Sequence, residues 1–316
     1  IVVGEILAGI VIGRSGFQLI PHDEPVLDFL AEFGLIFLMF LSGLEIDFSS
    51  LSLTGNPLSR SQKGGRVHPL VLAALNFVLT LILAFAVSYA FVLTGIASNV
   101  WMMGLILSTT SLGVVVPVLK ENHLTGSRFG QSLLFAALIA DFVTMLMITV
   151  MVAVISIGVT FDILLIGLLF VLFFIFARFA NILSRLGSIS RMIEDLSHAT
   201  AQIKIRGAFA SMLVFVVFSQ SLGVEIILGA FLAGTIFALL KTTEDKKVMH
   251  QLESIGYGFL IPIFFISVGI DIDLRVIFQS PSAMMLVPIL IVAAILVKIL
   301  PSLVFRLNFS WRETLA

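Results

Sequence analysis

A lone aspartate, Asp141, interrupts the apolar run Leu138-Ile139-Ala140-Asp141-Phe142-Val143. A carboxylate at the centre of a membrane helix costs about 2.5–3.5 kcal/mol on insertion scales, so it persists only against a partner or a wet cavity. The chemistry open to such a group is reversible binding. One carboxylate holds a proton or a bare cation, not both at once. The plainer alternative is a buried structural carboxylate paired with a cation elsewhere in the bundle. Some thirty residues earlier, four hydroxyls in a row, Ser108, Thr109, Thr110 and Ser111, precede Leu112-Gly113, with Pro117 four residues further on. Proline removes a backbone donor and clashes with the preceding turn. The segment is therefore expected to be a discontinuous helix whose freed carbonyls and hydroxyls coordinate a small cation. Oxygen ligands suit a hard ion such as sodium or potassium. Small polar residues at a tight helix–helix contact are the competing reading.

A third candidate is Lys298, alone in Ile295-Leu296-Val297-Lys298-Ile299-Leu300-Pro301. It is placed about 12 Å from the cytoplasmic end of its span at 1.5 Å per residue, deep for a snorkelling side chain. It is read as an intramembrane cation needing an anion, with Asp141 at similar depth. Glu5 and Glu225 are weaker candidates near span ends. The pairs Glu45/Asp47 and Asp271/Asp273 are expected to be solvated. The five histidines fall in loops and suggest no metal cluster, and the absence of cysteine excludes disulfides, thiolate metal sites and cysteine nucleophiles.

The elements that must position these groups follow from composition. Of 316 residues, 59% are hydrophobic and only 12% charged, against about half and a quarter in soluble domains. Long apolar stretches recur along the whole length, as bilayer-spanning helices require. Unpaired backbone is not tolerated in lipid, and the strict alternation of barrel strands is missing. The fold class is therefore an all-α membrane protein, with ten spans expected at 1–13, 29–45, 70–94, 99–119, 130–156, 161–178, 205–221, 224–240, 256–270 and 283–305. With these spans, the Lys and Arg residues of alternating loops divide fifteen to two, and Lys298 alone lies inside a span. Cytoplasmic loops retain positive charge, so the first span is expected to run outward. A net charge of -1 gives no sign of nucleic-acid binding.

Two motifs recur in order. Gly4-Glu5-Ile6-Leu7-Ala8-Gly9 resembles Gly229-Ala230-Phe231-Leu232-Ala233-Gly234, and Gly43-Leu44-Glu45-Ile46-Asp47 resembles Gly269-Ile270-Asp271-Ile272-Asp273. Gly9 and Gly43 are 34 residues apart, Gly234 and Gly269 are 35 apart. The repeat pairs the first span with the eighth and the second with the ninth. An odd offset inverts the second copy in the membrane, as in secondary transporters. The third span then pairs with the tenth. The fourth and fifth have no counterpart before Ala316, so two more spans are expected beyond it, and a preceding segment is expected before Ile1.

The runs from Gly4 to Gly9, Phe37-Leu38-Met39-Phe40-Leu41-Ser42-Gly43-Leu44-Glu45 and Pro262-Ile263-Phe264-Phe265-Ile266-Ser267-Val268-Gly269 resemble the second family of monovalent cation:proton antiporters. That family includes bacterial sodium/proton antiporters and potassium efflux systems, and the resemblance covers essentially the whole chain. It implies a fold of about thirteen spans, a homodimer, and a dimerisation part that moves against a core with two crossing broken helices. By that resemblance, 1–69 are dimerisation-side helices, 70–156 the first-repeat core and 157–204 a linker. Residues 205–282 are then the second dimerisation side, and 283–316 the start of the second core. Asp141 matches the family's essential aspartate, Thr110 its ion-facing position in the first break, and Lys298 its basic core residue. Ala140 departs from the better-known pattern, in which an Asp, Asn or Gln precedes the aspartate. Lacking that second carboxylate, the chain is expected to exchange electroneutrally, and Lys298 is left without its usual partner.

The resulting expectation is antiport of sodium or potassium against protons by alternating access, with the bound ion shared among Asp141, Thr110, Thr109, Ser111 and Ser108. No cofactor and no enzymatic activity are called for. The expected residence is a bacterial plasma membrane, with a thylakoid or other organellar membrane as the alternative. The rivals are a sodium-coupled symporter of an organic anion and a cation channel or regulatory membrane subunit. An intramembrane aspartyl protease needs two facing aspartates, and only Asp141 is deep.

Overall fold

The computed structural model describes residues 1–20, 24–46, 67, 69–157, 201–221, 225–240, 246–279 and 281–310. Among them the regular structure is helical throughout: α1 (Val2–Ile12), α2 (Pro25–Leu44), α3 (Pro69–Leu93), α4 (Val100–Ser108), α5 (Leu112–Glu121), α6 (Arg128–Ile157), α7 (Ala201–Ser221), α8 (Ile226–Leu240), α9 (Lys246–Ile255), α10 (Ile261–Asp271), α11 (Leu274–Gln279) and α12 (Pro281–Ser302). A π-helical turn, Gly256–Leu260, joins α9 to α10, and a 3-10 turn, Leu303–Leu307, follows α12. Seven stretches among the described residues are long and apolar enough to cross a bilayer, and Val2–Ile12 and Ile226–Ala238 are shorter apolar helices. The chain is a multi-pass membrane protein. Nine of the ten expected stretches fall on these helices; the sixth, 161–178, lies outside the described residues.

Two boundaries differ from the sequence reading for identifiable reasons. The second stretch begins at Pro25, four residues early, because proline at the first helical position loses only a donor that would be orphaned anyway. The ninth begins at Lys247, because the amphipathic α9 continues through the π turn into α10 as one apolar span. An apolar window sees only the second half of that span.

The described residues form two compact units. The first draws on Ile1–Ile46 and Gly167–Arg275. Within it α1 packs on α10, α2 on α8 and α10, and α8 on α7. Glycine makes the closest crossings, as in other membrane bundles where small residues let backbones approach. Gly9 of α1 lies against the Ile266 carbonyl and Gly269 of α10, and Gly269 in turn lies against Ile6 and Gly9. Gly43 of α2 lies against Phe231 and Thr235 of α8, and Gly234 of α8 lies against the Phe40 carbonyl. These four glycines are the ones that recur in the sequence motifs, and the contacts are reciprocal. Beyond the helix ends, the Arg14 amide donates to the Ile270 carbonyl, and the Ser15 hydroxyl donates to Ile272 and accepts from the Leu274 amide. The C-terminal ends of α1 and α10 thus lie together, and the two helices run the same way. Phe209 of α7 stacks on Phe33 and Phe37 of α2.

A Cβ at position 234 would overlap main-chain atoms of Phe40, which no rotamer change relieves. Gly234→Val is therefore expected to exceed the usual overpacking cost of about 1–3 kcal/mol. It should lower the thermal midpoint and the monodisperse yield of purified protein. Gly207→Ala, where the added methyl meets nothing within 4 Å, should melt at or slightly above wild type, since alanine is the better helix former.

The second unit draws on Asp47–Ile166 and Val276–Ala316. Here α3 packs on α4, α6 and α12. Ala84, Leu107 and Val297 form a buried knot, flanked by Leu83, Val87, Met103 and Ala294. Asn99 caps α4, its side-chain oxygen accepting from the Trp101 and Met102 amides at 2.9 and 3.2 Å. At the other end of α12, Asn308 pairs with both the carbonyl and the amide of Val67 at 2.6 and 3.0 Å, while Phe305 and Phe309 pack edge-on against Phe129 of α6. These contacts hold the C-terminal half of α12 and the turn after it against α3 and α6, and α12 carries Lys298.

Candidate functional site

The run of four hydroxyls is where the helix breaks. α4 ends at Ser108, Thr109 and Ser111 are both extended, and α5 starts at Leu112. Pro117 is not the cause. It lies inside α5, where the carbonyl its missing N–H leaves free is that of Gly113, below the break. The break is instead held open by groups from two neighbouring helices.

A helix that stops in mid-membrane leaves carbonyls at its C-terminal end and amides at the N-terminus of its continuation, with partial negative and positive charge respectively. Both ends meet a complementary side chain. The Lys298 ammonium donates to the Ser108 carbonyl at 2.8 Å, the Thr109 carbonyl at 2.6 Å and the Thr110 hydroxyl at 2.7 Å. Its three protons are thereby used. On the other side the Ser111 side chain makes no capping bond to α5; the carboxylate of Asp141 accepts from the Leu112 amide instead, at 3.4 Å. Asp141 thus supplies, from α6, the anionic cap that α5 lacks in its own sequence.

The expected set of residues divides accordingly. Asp141, Thr109, Thr110 and Lys298 are gathered at the break. Ser108 joins through its carbonyl; its hydroxyl turns back to the Leu105 carbonyl at 2.9 Å and is buried in α4. Ser111 is exposed. Lys298 engages backbone and hydroxyl oxygens where the sequence suggested a carboxylate. Glu5 and Glu225 belong to the other unit, on α1 and ahead of α8.

One residue escaped the sequence reading. Thr144, one turn beyond Asp141 on α6, is buried, and its hydroxyl lies 3.1 Å from that of Thr109 and 2.7 Å from the Ala140 carbonyl. The signal was available: residues three apart share a helix face, so a threonine at that distance from a buried aspartate looks toward the same neighbour. Chemically, the break combines a carboxylate, hydroxyls and helix-end carbonyls that the Lys298 ammonium engages, around short stretches of extended chain. That donor set suits a dehydrated monovalent cation, and the carboxylate offers it a single exchangeable negative charge.

Residues 1–316 match the family described as the sodium/hydrogen exchanger, transmembrane. YjbQ of Bacillus subtilis, named for sodium/proton antiport, is 39% identical over 100% of this chain and 50% of its own length. A sodium/proton antiporter of Enterococcus hirae is 28% identical over 95% of this chain and 73% of its own. The glutathione-regulated potassium-efflux protein KefC of Klebsiella pneumoniae is 26% identical over 95% of this chain and 45% of its own. The chain therefore spans about half the length of the first and the last of these relatives.

Proposed function

Because this chain belongs to the sodium/hydrogen exchanger family, a family of transporters rather than enzymes, we propose that it exchanges sodium or potassium for protons across a bacterial plasma membrane. The observation that carries the reading is the meeting of Asp141 with the interrupted helix, whose two ends are matched by one anion and one cation. In this mechanism Asp141 holds the proton and the alkali ion by turns. Thr109 and Thr110 supply further oxygen ligands, and Lys298 balances the carbonyl end of the break. Competition for one carboxylate, with alternating exposure to the two sides, is sufficient for antiport, and no covalent intermediate is needed. With Ala140 beside Asp141 there is one titrating carboxylate at this point of α6, so one cation is exchanged per proton and no net charge moves.

The same proposal includes an inverted duplication and a homodimer of such chains. The reciprocal glycine contacts support the duplication: where the first motif of one copy touches the second motif of the other, a two-fold relation requires the converse contact as well, and both are made. The unit of α1, α2 and α7–α10 then serves as the static, dimerising side, and the unit carrying the break is the moving core.

The test uses protein in liposomes loaded with a pH dye. A pulse of external sodium or potassium should alkalinise the lumen, because the entering cation drives protons out. With sodium as the pulsed ion, the rate should be unchanged when the membrane potential is clamped at different values with valinomycin and fixed potassium on both sides. Absence of any cation-driven proton movement would overturn the exchange reading; a rate that followed the potential would overturn one-for-one stoichiometry.

A further inference from the structure

We infer that Thr144 is a positioning residue for the transported cation: it fixes the direction of the Thr109 hydroxyl so that the break presents lone pairs to the ion. The inference rests on the exchange reading above and adds to it a residue and a mode of action. Thr144 is 1% exposed. Its oxygen has three neighbours, the Ala140 carbonyl at 2.7 Å, the Thr109 hydroxyl at 3.1 Å and the Asp141 carbonyl at 3.2 Å. A hydroxyl has one proton and two lone pairs. The shortest contact, to Ala140, takes the Thr144 proton, so the hydroxyl contact between the two threonines is made with the Thr109 proton, donated to Thr144. Both lone pairs of Thr109 are then free of that proton and available to a cation. The Thr109 backbone is pinned at the same time, because its carbonyl accepts from Lys298 at 2.6 Å. Thr109 is thus held at its carbonyl from α12 and at its side chain from α6.

The two contacts from α6 divide the break between them. Asp141 reaches the first amide of α5, and Thr144 reaches Thr109, the residue just past the end of α4. Without the Thr144 oxygen, the Thr109 proton has no fixed acceptor and can turn toward the ion, which it repels. The residue therefore acts on how tightly the cation is held and leaves the proton-carrying group untouched.

Thr144→Val preserves the shape and removes the hydroxyl. In the liposome assay it should raise the half-saturating cation concentration about five- to tenfold, the effect of one hydrogen bond on an equilibrium, with the maximal rate within about twofold of wild type. Thr144→Ser should restore the wild-type value. Thr109→Val, which also removes the ligand oxygen, should weaken cation binding at least as much, and the double variant should be no worse than Thr109→Val alone, since Thr144 acts only through Thr109. A Thr144→Val protein with wild-type half-saturation overturns the inference. So does a loss of maximal rate and thermal stability together that serine fails to rescue, because that pattern marks packing alone. Asp141→Asn in the same preparation separates the two layers. If it is inactive while Thr144→Val binds cation normally, only the Thr144 role falls; if it still exchanges, the reading of the site falls and the Thr144 role with it.

Discussion

Liposomes carrying Asp141→Asn are expected to show no cation-driven proton movement above protein-free background. Asparagine is nearly isosteric and keeps an oxygen that can accept from the Leu112 amide, the contact Asp141 makes at 3.4 Å. The cap on α5 is thereby preserved, and the variant should purify and melt close to wild type. What it loses is the negative charge and the exchangeable proton. At about 4 Å and an effective dielectric near 20, a unit charge pair is worth about 4 kcal/mol, so an alkali ion loses about a thousandfold in affinity. Proton release and uptake by the amide are absent at any accessible pH. Asp141→Glu keeps the charge on a longer arm and should retain partial exchange with altered half-saturation. Normal exchange by a folded Asp141→Asn protein would show that the carboxylate is a structural cap and nothing more.

The second large effect is expected on stability, from Lys298→Met. The ammonium satisfies two carbonyls and one hydroxyl at the break. Methionine fills similar volume but offers no proton, and the Thr110 hydroxyl can rotate to another partner while the two carbonyls cannot. Leaving them dry costs about 2–4 kcal/mol, which should appear as a drop of several degrees in the thermal midpoint of detergent-solubilised protein in choline buffer. The vacated oxygens are then free to take an inorganic cation. Sodium or potassium, binding the folded state only, should recover part of the loss in proportion to the logarithm of its concentration, whereas choline, too large for the gap, should not. A Lys298→Met protein that melts like wild type in choline would place the ammonium's three bonds outside the balance that holds the break together.

Much of this arrangement was visible before any coordinates. The apolar stretches, the discontinuity among the four hydroxyls and the place of Asp141 and Lys298 within apolar helices were all readable, because crossing hydrocarbon is a demand each segment meets from its own composition. The recurrence of Gly9 and Gly43 as Gly234 and Gly269 was readable as well. What those glycines touch was not: the motif of α1 packs on the end of α10, and the end of α2 packs on the motif of α8. A repeat in sequence says which segments are alike, while contact depends on how two like halves interlock.

The site shows the same division in finer detail. Pro117 looked like the reason for the break, since its effect on the backbone is written in its identity, yet the interruption lies upstream, where Asp141 and Lys298 hold the two helix ends. Thr144 was passed over because its mark lies in its three-residue spacing from Asp141 and not in its own type. The sequence by itself determined that a charge of each sign lies within an apolar helix and that a third helix is interrupted, because the residue types alone mark a charge that is costly to bury. Only the tertiary structure decided that the lysine serves the carbonyls and the aspartate the amide, because every residue carries the same backbone donor and acceptor, and which ones are left open depends on where neighbouring helices bring their side chains.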